Sequence, residues 1–195
     1  MSHASIRDGI SLSSSSSYGF DHNDLEDLQR KISKGRSGSG QNYVIVESVY
    51  SMDGDEAPLN ELAELCRSEN LYLIVDEAHS TGITGPNGSG LVTALGLEKD
   101  VFARIHTFGK ALGCHGAAVL GSEPLRKYLI NFARSFIYTT ALPPREALRI
   151  NAALQKLGKT EQRERLVQNI DTFLNEMKAL NLTSYFIPSR SPIQS

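Results

Sequence analysis

"LYLIVDEAHSTG", residues 71–82, is an apolar run that ends in two carboxylates and a histidine. The run is short, continuous and rich in residues that favour strands, the pattern of a strand buried on both faces of a parallel sheet. Two chemistries can follow such a strand. In a helicase-type ATPase, a Walker-B-like strand leads into a DEAH box, and Asp76 and Glu77 hold Mg²⁺ and activate water. In a cofactor enzyme, Asp76 and His79 face an organic ring beyond the strand's carboxyl end.

The neighbouring sequence supplies the rest of the sheet. "NYVIVESVY" (42–50) is a second strand of the same kind, and "PLNELAELCRSEN" (58–70) places Leu59, Leu62, Ala63 and Cys66 on one helical face. Strand, helix, strand makes a βαβ unit with a right-handed crossover. "VFARIHTF" (101–108) and "GAAVLGS" (116–122) predict two more strands, with helices over roughly 123–134, 145–157 and 160–180. An earlier helix, "NDLEDLQRKISK" (23–34), opens on a capping residue and closes on basic ones. The serine run at 12–17 and "SKGRSGSGQN" (33–42) are read as loops. The predicted fold class is α/β with a mostly parallel sheet, so ligands are expected beyond the carboxyl ends of the strands.

Composition narrows the partners. The 195 residues, 40% hydrophobic and 22% charged, can bury a core. Twenty basic against 22 acidic residues leave a net charge of −2, with no excess to hold a phosphate backbone, so no nucleic acid is expected. The apolar runs fall short of the ~18 residues a membrane span needs, and "MSHASIRDGISL" has no secretory-leader pattern. Cys66 and Cys114 lie far apart without metal-ligand spacing and are read as buried, reduced thiols. The chain is therefore expected to be cytoplasmic, without a membrane partner or a metal site. The sequons at Asn87 and Asn181 are then accidental.

The ATPase needs a GxxxxGK[ST] loop ahead of the acidic strand to cradle phosphates. None precedes Asp76, and the nearest miss, Gly85 to Gly90 in "GPNGSGLV", continues with Leu91 and Val92. The cofactor reading gains from "IHTFGKALGCHGAAV" (105–119), where Lys110 follows a glycine just past a strand, among small residues. A crowded pocket there would desolvate the ammonium and favour the neutral amine that forms a Schiff base. A solvated loop lysine is the plainer alternative. An aspartate ending one strand, a histidine three residues on and a lysine after the next strand match what pyridoxal phosphate requires: a carboxylate for the ring nitrogen and an amine for the aldehyde.

The blocks "SHASIRDGISLS", "DHNDLEDLQRKI", "VIVESVYSMDGDEAPLNELAELC", "LIVDEAHSTGITGPNGSGL", "HTFGKALGCHGAAVLGS" and "FIYTTALPP" run in that order through almost the whole chain. Together they resemble the α-oxoamine synthases, fold-type-I pyridoxal-phosphate enzymes that condense an amino acid with an acyl-CoA, or an acyl-carrier protein, and release CO₂. Within that family, "SHAS", "VYSMDGD" and "IYTTALPP" look most like the branch that joins L-alanine to a pimeloyl thioester. The resemblance implies a three-layer α/β/α large domain, with residues 1–158 inside it and 159–195 forming a linking helix and the start of a C-terminal small domain. It also implies truncation at both ends, because family members are roughly twice as long, and a homodimer for the full-length protein.

The resemblance assigns roles position by position. Lys110 would carry the cofactor and abstract the substrate's α-proton, Asp76 would pair with the pyridine nitrogen, and His79 would hydrogen-bond the phenolic oxygen. Thr107 and Ser51 would offer hydroxyls to the phosphate and the ring environment, and His3 would stack on the ring face. Thr139 and Thr140 would reach the phosphate of a neighbouring subunit's cofactor. Glu47 is expected near the acyl-CoA or in purely structural hydrogen bonds, and Glu77 is expected to point away from the cofactor. His106 and His115 receive no role. Taken singly, Ser51 and Thr107 also suit turns or caps, and His3 suits a solvated terminus. The family's glycine-containing phosphate loop and its arginine-bearing C-terminal domain are missing, so a catalytically inactive fragment is a further reading.

Overall fold

The computed structural model describes residues 2–35, 40–158 and 161–195. In chain order the elements are α1 (Ala4–Ser11), α2 (Leu25–Gly35), β1 (Tyr43–Glu47), α3 (Leu59–Ser68), β2 (Tyr72–Asp76), α4 (Leu91–Ala94) and β3 (Ala103–Thr107). They continue with β4 (Ala117–Gly121), α5 (Glu123–Phe132), α6 (Arg134–Ile137), α7 (Pro144–Leu157) and α8 (Glu161–Ala179). The four strands form one sheet in the order β1-β2-β3-β4. The first two pairings are parallel and β3–β4 is antiparallel. The parallel pair β1–β2 is joined through α3, whereas only residues 108–116 separate β3 from β4. That connection is too short for a crossover, so the chain must double back.

Register and pleat divide the sheet into two faces. Val44 and Val46 align with Leu73 and Val75, and all four are buried in a cluster with Leu59, Leu62, Ala63 and Cys66 of α3. The helical stripe in the sequence is thus the stripe that covers the sheet. Leu28 of α2 and Val92 of α4 join the same cluster. The other face carries Tyr43, Ile45 and Glu47 beside Tyr72, Ile74 and Asp76. Its amino-terminal end is finished by an aromatic trio, with Tyr43 and Tyr72 stacked at 5.3 Å and Phe102 tilted 4.7 Å from Tyr72.

Several boundaries differ from expectation. The helix anticipated over 123–134 breaks into α5 and α6 where Ala133 turns extended. The first helix of the chain was not anticipated: α1 spans part of the polar "SHASIRDGISL" block and buries no residue. Helix α2 is capped by Asp24, whose Oδ1 accepts the Asp27 N–H at 2.8 Å, and it runs to Gly35, past the start of the expected loop. Part of that loop, and the first residue of the helix expected over 160–180, lie outside the described residues. Among the described residues no helix is long and apolar enough to cross a membrane.

Candidate active site

The carboxyl ends of three strands deliver the polar residues to one edge of the sheet. Glu47 closes β1 level with Asp76, which closes β2, and Asp76 pairs with Ile105, two residues before Thr107. Side chains alternate along a strand, so Glu47, Asp76 and Thr107 share one face, while Glu77 and His106 turn to the other. The Asp76 carboxylate is buried, and its Oδ1 accepts the Ala78 N–H at 2.9 Å. This side-chain turn bends the chain sharply after the strand and brings His79 back over the edge.

Lys110 enters from the β3–β4 connection. Cys114 N–H donates to Phe108 O and Gly113 N–H to Lys110 O, which folds residues 108–114 into a compact loop. Gly82 sits so close to Ala111 that a Cβ there would overlap it, and the two loops can meet only because residue 82 has no side chain. On the far side, Leu112 and Cys114 pack on Ile150 of α7. The Lys110 side chain itself is exposed. Of the two environments offered for it, the solvated loop lysine is the one the structure shows.

Electrostatics bind these residues into one cluster. Burial lowers the His79 pKa, and the Lys110 charge lowers it further against the opposing pull of Asp76. The ring is thereby favoured as a neutral group. His3 acts on His79 as well, which brings the chain's start to the same place. Glu47, fully buried, makes that link. Its Oε1 accepts the His3 N–H at 2.6 Å and its Oε2 the Ser51 N–H at 3.2 Å. These two hydrogen bonds tie the start of the chain and the turn after β1 to one carboxylate. The His3 ring also caps α1, with Nδ1 accepting from Ser5 N–H at 3.3 Å.

One further atom bears on what this edge can hold. The Thr107 hydroxyl is buried and has no hydrogen-bond partner. A buried, unsatisfied hydroxyl at the mouth of a cluster holding an amine, a carboxylate and a neutral imidazole fits an anionic, aromatic group such as pyridoxal phosphate. Thr139, Thr140 and His115 are exposed, and Glu77 is fully buried beside His106 on the opposite face. A carboxylate turned away from the opening cannot activate water there, which removes the ATPase's central residue. Elsewhere, His22 Nε2 lies 2.8 Å from Asp55 and 3.8 Å from Asp53, a three-ligand grouping that no local motif signals because His22 is distant in the chain from the two aspartates.

The whole chain, residues 1–195, matches the family model described as aminotransferase class I and II. A curated 8-amino-7-oxononanoate synthase of Saccharophagus degradans is 44% identical over 197 residues, a match covering all of this chain and 48% of that protein. Among solved structures, a serine palmitoyltransferase variant from S. paucimobilis, with PLP and myriocin bound, superposes with a TM-score of 0.84 at 36% identity, covering 91% of this chain and 46% of that one. An 8-amino-7-oxononanoate synthase from Francisella tularensis gives 0.77 at 37% identity, covering 91% and 51%. The chain thus spans about half the length of the curated relatives it matches.

Proposed function

This chain belongs to the aminotransferase class I and II family, in its α-oxoamine synthase branch, and from that premise we propose that it is the cofactor-binding part of a pyridoxal-phosphate-dependent acyltransferase. The observation that carries the proposal is the meeting of Asp76, His79 and Lys110 beyond the carboxyl ends of β2 and β3, beside the unpartnered Thr107 hydroxyl. The reaction we assign is condensation of L-alanine with pimeloyl-CoA, or the carrier-protein thioester, to 8-amino-7-oxononanoate, CoA and CO₂. The names of the curated relatives support that choice. The serine palmitoyltransferase neighbours favour a second pair, serine and a longer acyl-CoA, and glycine with acetyl-CoA is the third.

Pyridoxal phosphate, when bound, supplies an electron sink for the charge left as a bond to the substrate's α-carbon breaks. The chain's own residues do the rest. Asp76, held by the Ala78 N–H, would keep a proton on the ring nitrogen. Lys110 Nζ would hold the cofactor's aldehyde carbon and, as a free amine, would take the substrate's α-proton. His79, favoured as the neutral ring, would offer a hydrogen bond to the phenolic oxygen. Thr107 and Ser51 would give hydroxyls to the phosphate and the ring environment, and His3 would cover the ring face. Thr139 and Thr140, exposed here, would serve a second subunit's phosphate.

A cofactor-binding piece without turnover is the alternative, and the exposure of Lys110 favours it. The test is to add pyridoxal phosphate to the purified chain, reduce with borohydride and map the modified lysine. Label on Lys110, lost in Lys110→Ala, is expected, and label spread over surface lysines would sink the site. CoA release is then compared for alanine with pimeloyl-CoA, serine with palmitoyl-CoA and glycine with acetyl-CoA. Label without release from any pair identifies the non-catalytic piece.

A further inference from the structure

Glu77 and His106 are buried, titratable and unused by the site above. Glu77 Oε1 accepts two hydrogen bonds, from the Val92 N–H at 2.8 Å and the Ser80 hydroxyl at 3.2 Å. Oε2 accepts none and faces His106 Nε2 at 3.4 Å, and neither of those buried atoms has another hydrogen-bond partner. Arg104 is the cation that reaches them. Its Nη1 stands 4.0 Å from Oε2 and donates instead to Thr93 Oγ1 at 2.8 Å.

The other ring nitrogen fixes the tautomer. His106 Nδ1 lies 2.8 Å from Thr81 Oγ1, which in turn lies 2.6 Å from Glu77 O. Two oxygens that close need a hydrogen between them, and only the hydroxyl has one to give. Thr81 therefore donates to the carbonyl and accepts from Nδ1–H. A neutral ring then turns a lone pair toward Oε2, and two facing lone pairs in a water-free site repel.

We propose that Glu77 Oε2 and His106 Nε2 share one proton, and that this pair is a positioning device that clamps residues 77–92 to β3 beneath the site. Through it, Asp76 and His79 on one side and Thr107 on the other are held at a set separation. The positioning half rests on reading those three residues as cofactor ligands, and the shared proton does not. Burial drives the same arrangement, since it raises the Glu77 pKa and lowers that of His106 to about 4. Gly90 lies against the Glu77 carboxyl, which shuts the cage, and Ser48 donates to Ser80 at 2.9 Å, extending the network to the end of β1.

The experiment is NMR on the 195-residue chain without cofactor, with ¹⁵N-histidine for the imidazole rings and uniform ¹⁵N for the backbone amides, in wild type, Glu77→Gln and Glu77→Leu. His106 is expected to carry hydrogen on Nδ1, with Nε2 as acceptor or sharing a proton. Glu77→Gln should preserve that pattern, because its amide N–H takes the place of the shared proton. His79 and Thr107 signals should hold in Glu77→Gln and shift in Glu77→Leu. Pyridoxal phosphate binding, followed by absorbance, should weaken by about tenfold in Glu77→Leu and by under about twofold in Glu77→Gln. A neutral His106 with hydrogen on Nε2 and a bare Nδ1 overturns the shared proton. Glu77→Gln shifting His79 and Thr107 overturns the positioning role, and this arm decides even if the leucine variant does not fold. A wild type with the expected His106 pattern that takes up no pyridoxal phosphate refutes the functional reading alone, since the pair is read without cofactor.

Discussion

Single residues decide how tightly the site is built. Gly90 has φ +102°, and a Cβ there would overlap the Glu77 carboxyl. Gly90→Ala combines that clash with a left-handed backbone and should cost about 3 kcal/mol or more, measured by urea unfolding. The buried pair predicts a pH profile. Glu77 is raised from 4.5, so its contribution is present below that value and is lost as pH climbs through its folded pKa. His106 is lowered from 6.5 to about 4, so its contribution is present above 6.5 and is lost as pH falls toward 4. Wild type should thus lose stability on both sides of a mildly acidic optimum, and Glu77→Gln should lose it only on the acid side. Urea midpoints across that range would show it. The sequence told in advance that Glu77 points away, from its place between Asp76 and His79. It could not tell that His106 meets it, because that pairing depends on the register of β2 against β3.

At the level of elements, what was legible follows from periodicity. Strands β1 and β2 and helix α3 were readable because their apolar positions recur at the spacing that one buried face demands, and the structure buries Val44, Val46, Leu73 and Val75 against that helix, whereas β4 leaves Val119 and Leu120 exposed. Leu62 shows how much rests on that stripe. It is 1% exposed between α3 and the sheet, and Leu62→Ala should cost about 3 kcal/mol by chemical denaturation. The short α1 escaped because it buries nothing. It is held by the His3 cap and by the tether to Glu47, a contact 44 residues away that no local pattern encodes. Lys110 lies just past β3 as its sequence context implied, and of the two environments offered for it the structure shows the exposed one, since small neighbours in sequence did not become close neighbours in space.

Across the molecule, cover is uneven. α3 shields one face of the sheet, but β4, α5 and the segment after them expose Val119, Leu120, Tyr128, Phe132, Phe136 and Tyr138. An open groove of about 960 Å³, lined by Tyr72, Phe102 and Leu125, runs along that side, far from the strand ends that carry the chemistry. So much uncovered apolar surface predicts that the isolated chain binds an apolar fluorescent dye at neutral pH, whereas a well-covered chain would leave the dye dark. The turn over 108–116 has a further consequence, in the order of events during folding. Its pairing closes nine residues, while Tyr43 must find Tyr72 across a whole helix. Loop-closure entropy favours the shorter search. In pulse-labelled hydrogen exchange the β3–β4 amides should gain protection before those of β1, so the lysine loop is shaped before the aspartate strand docks beside it.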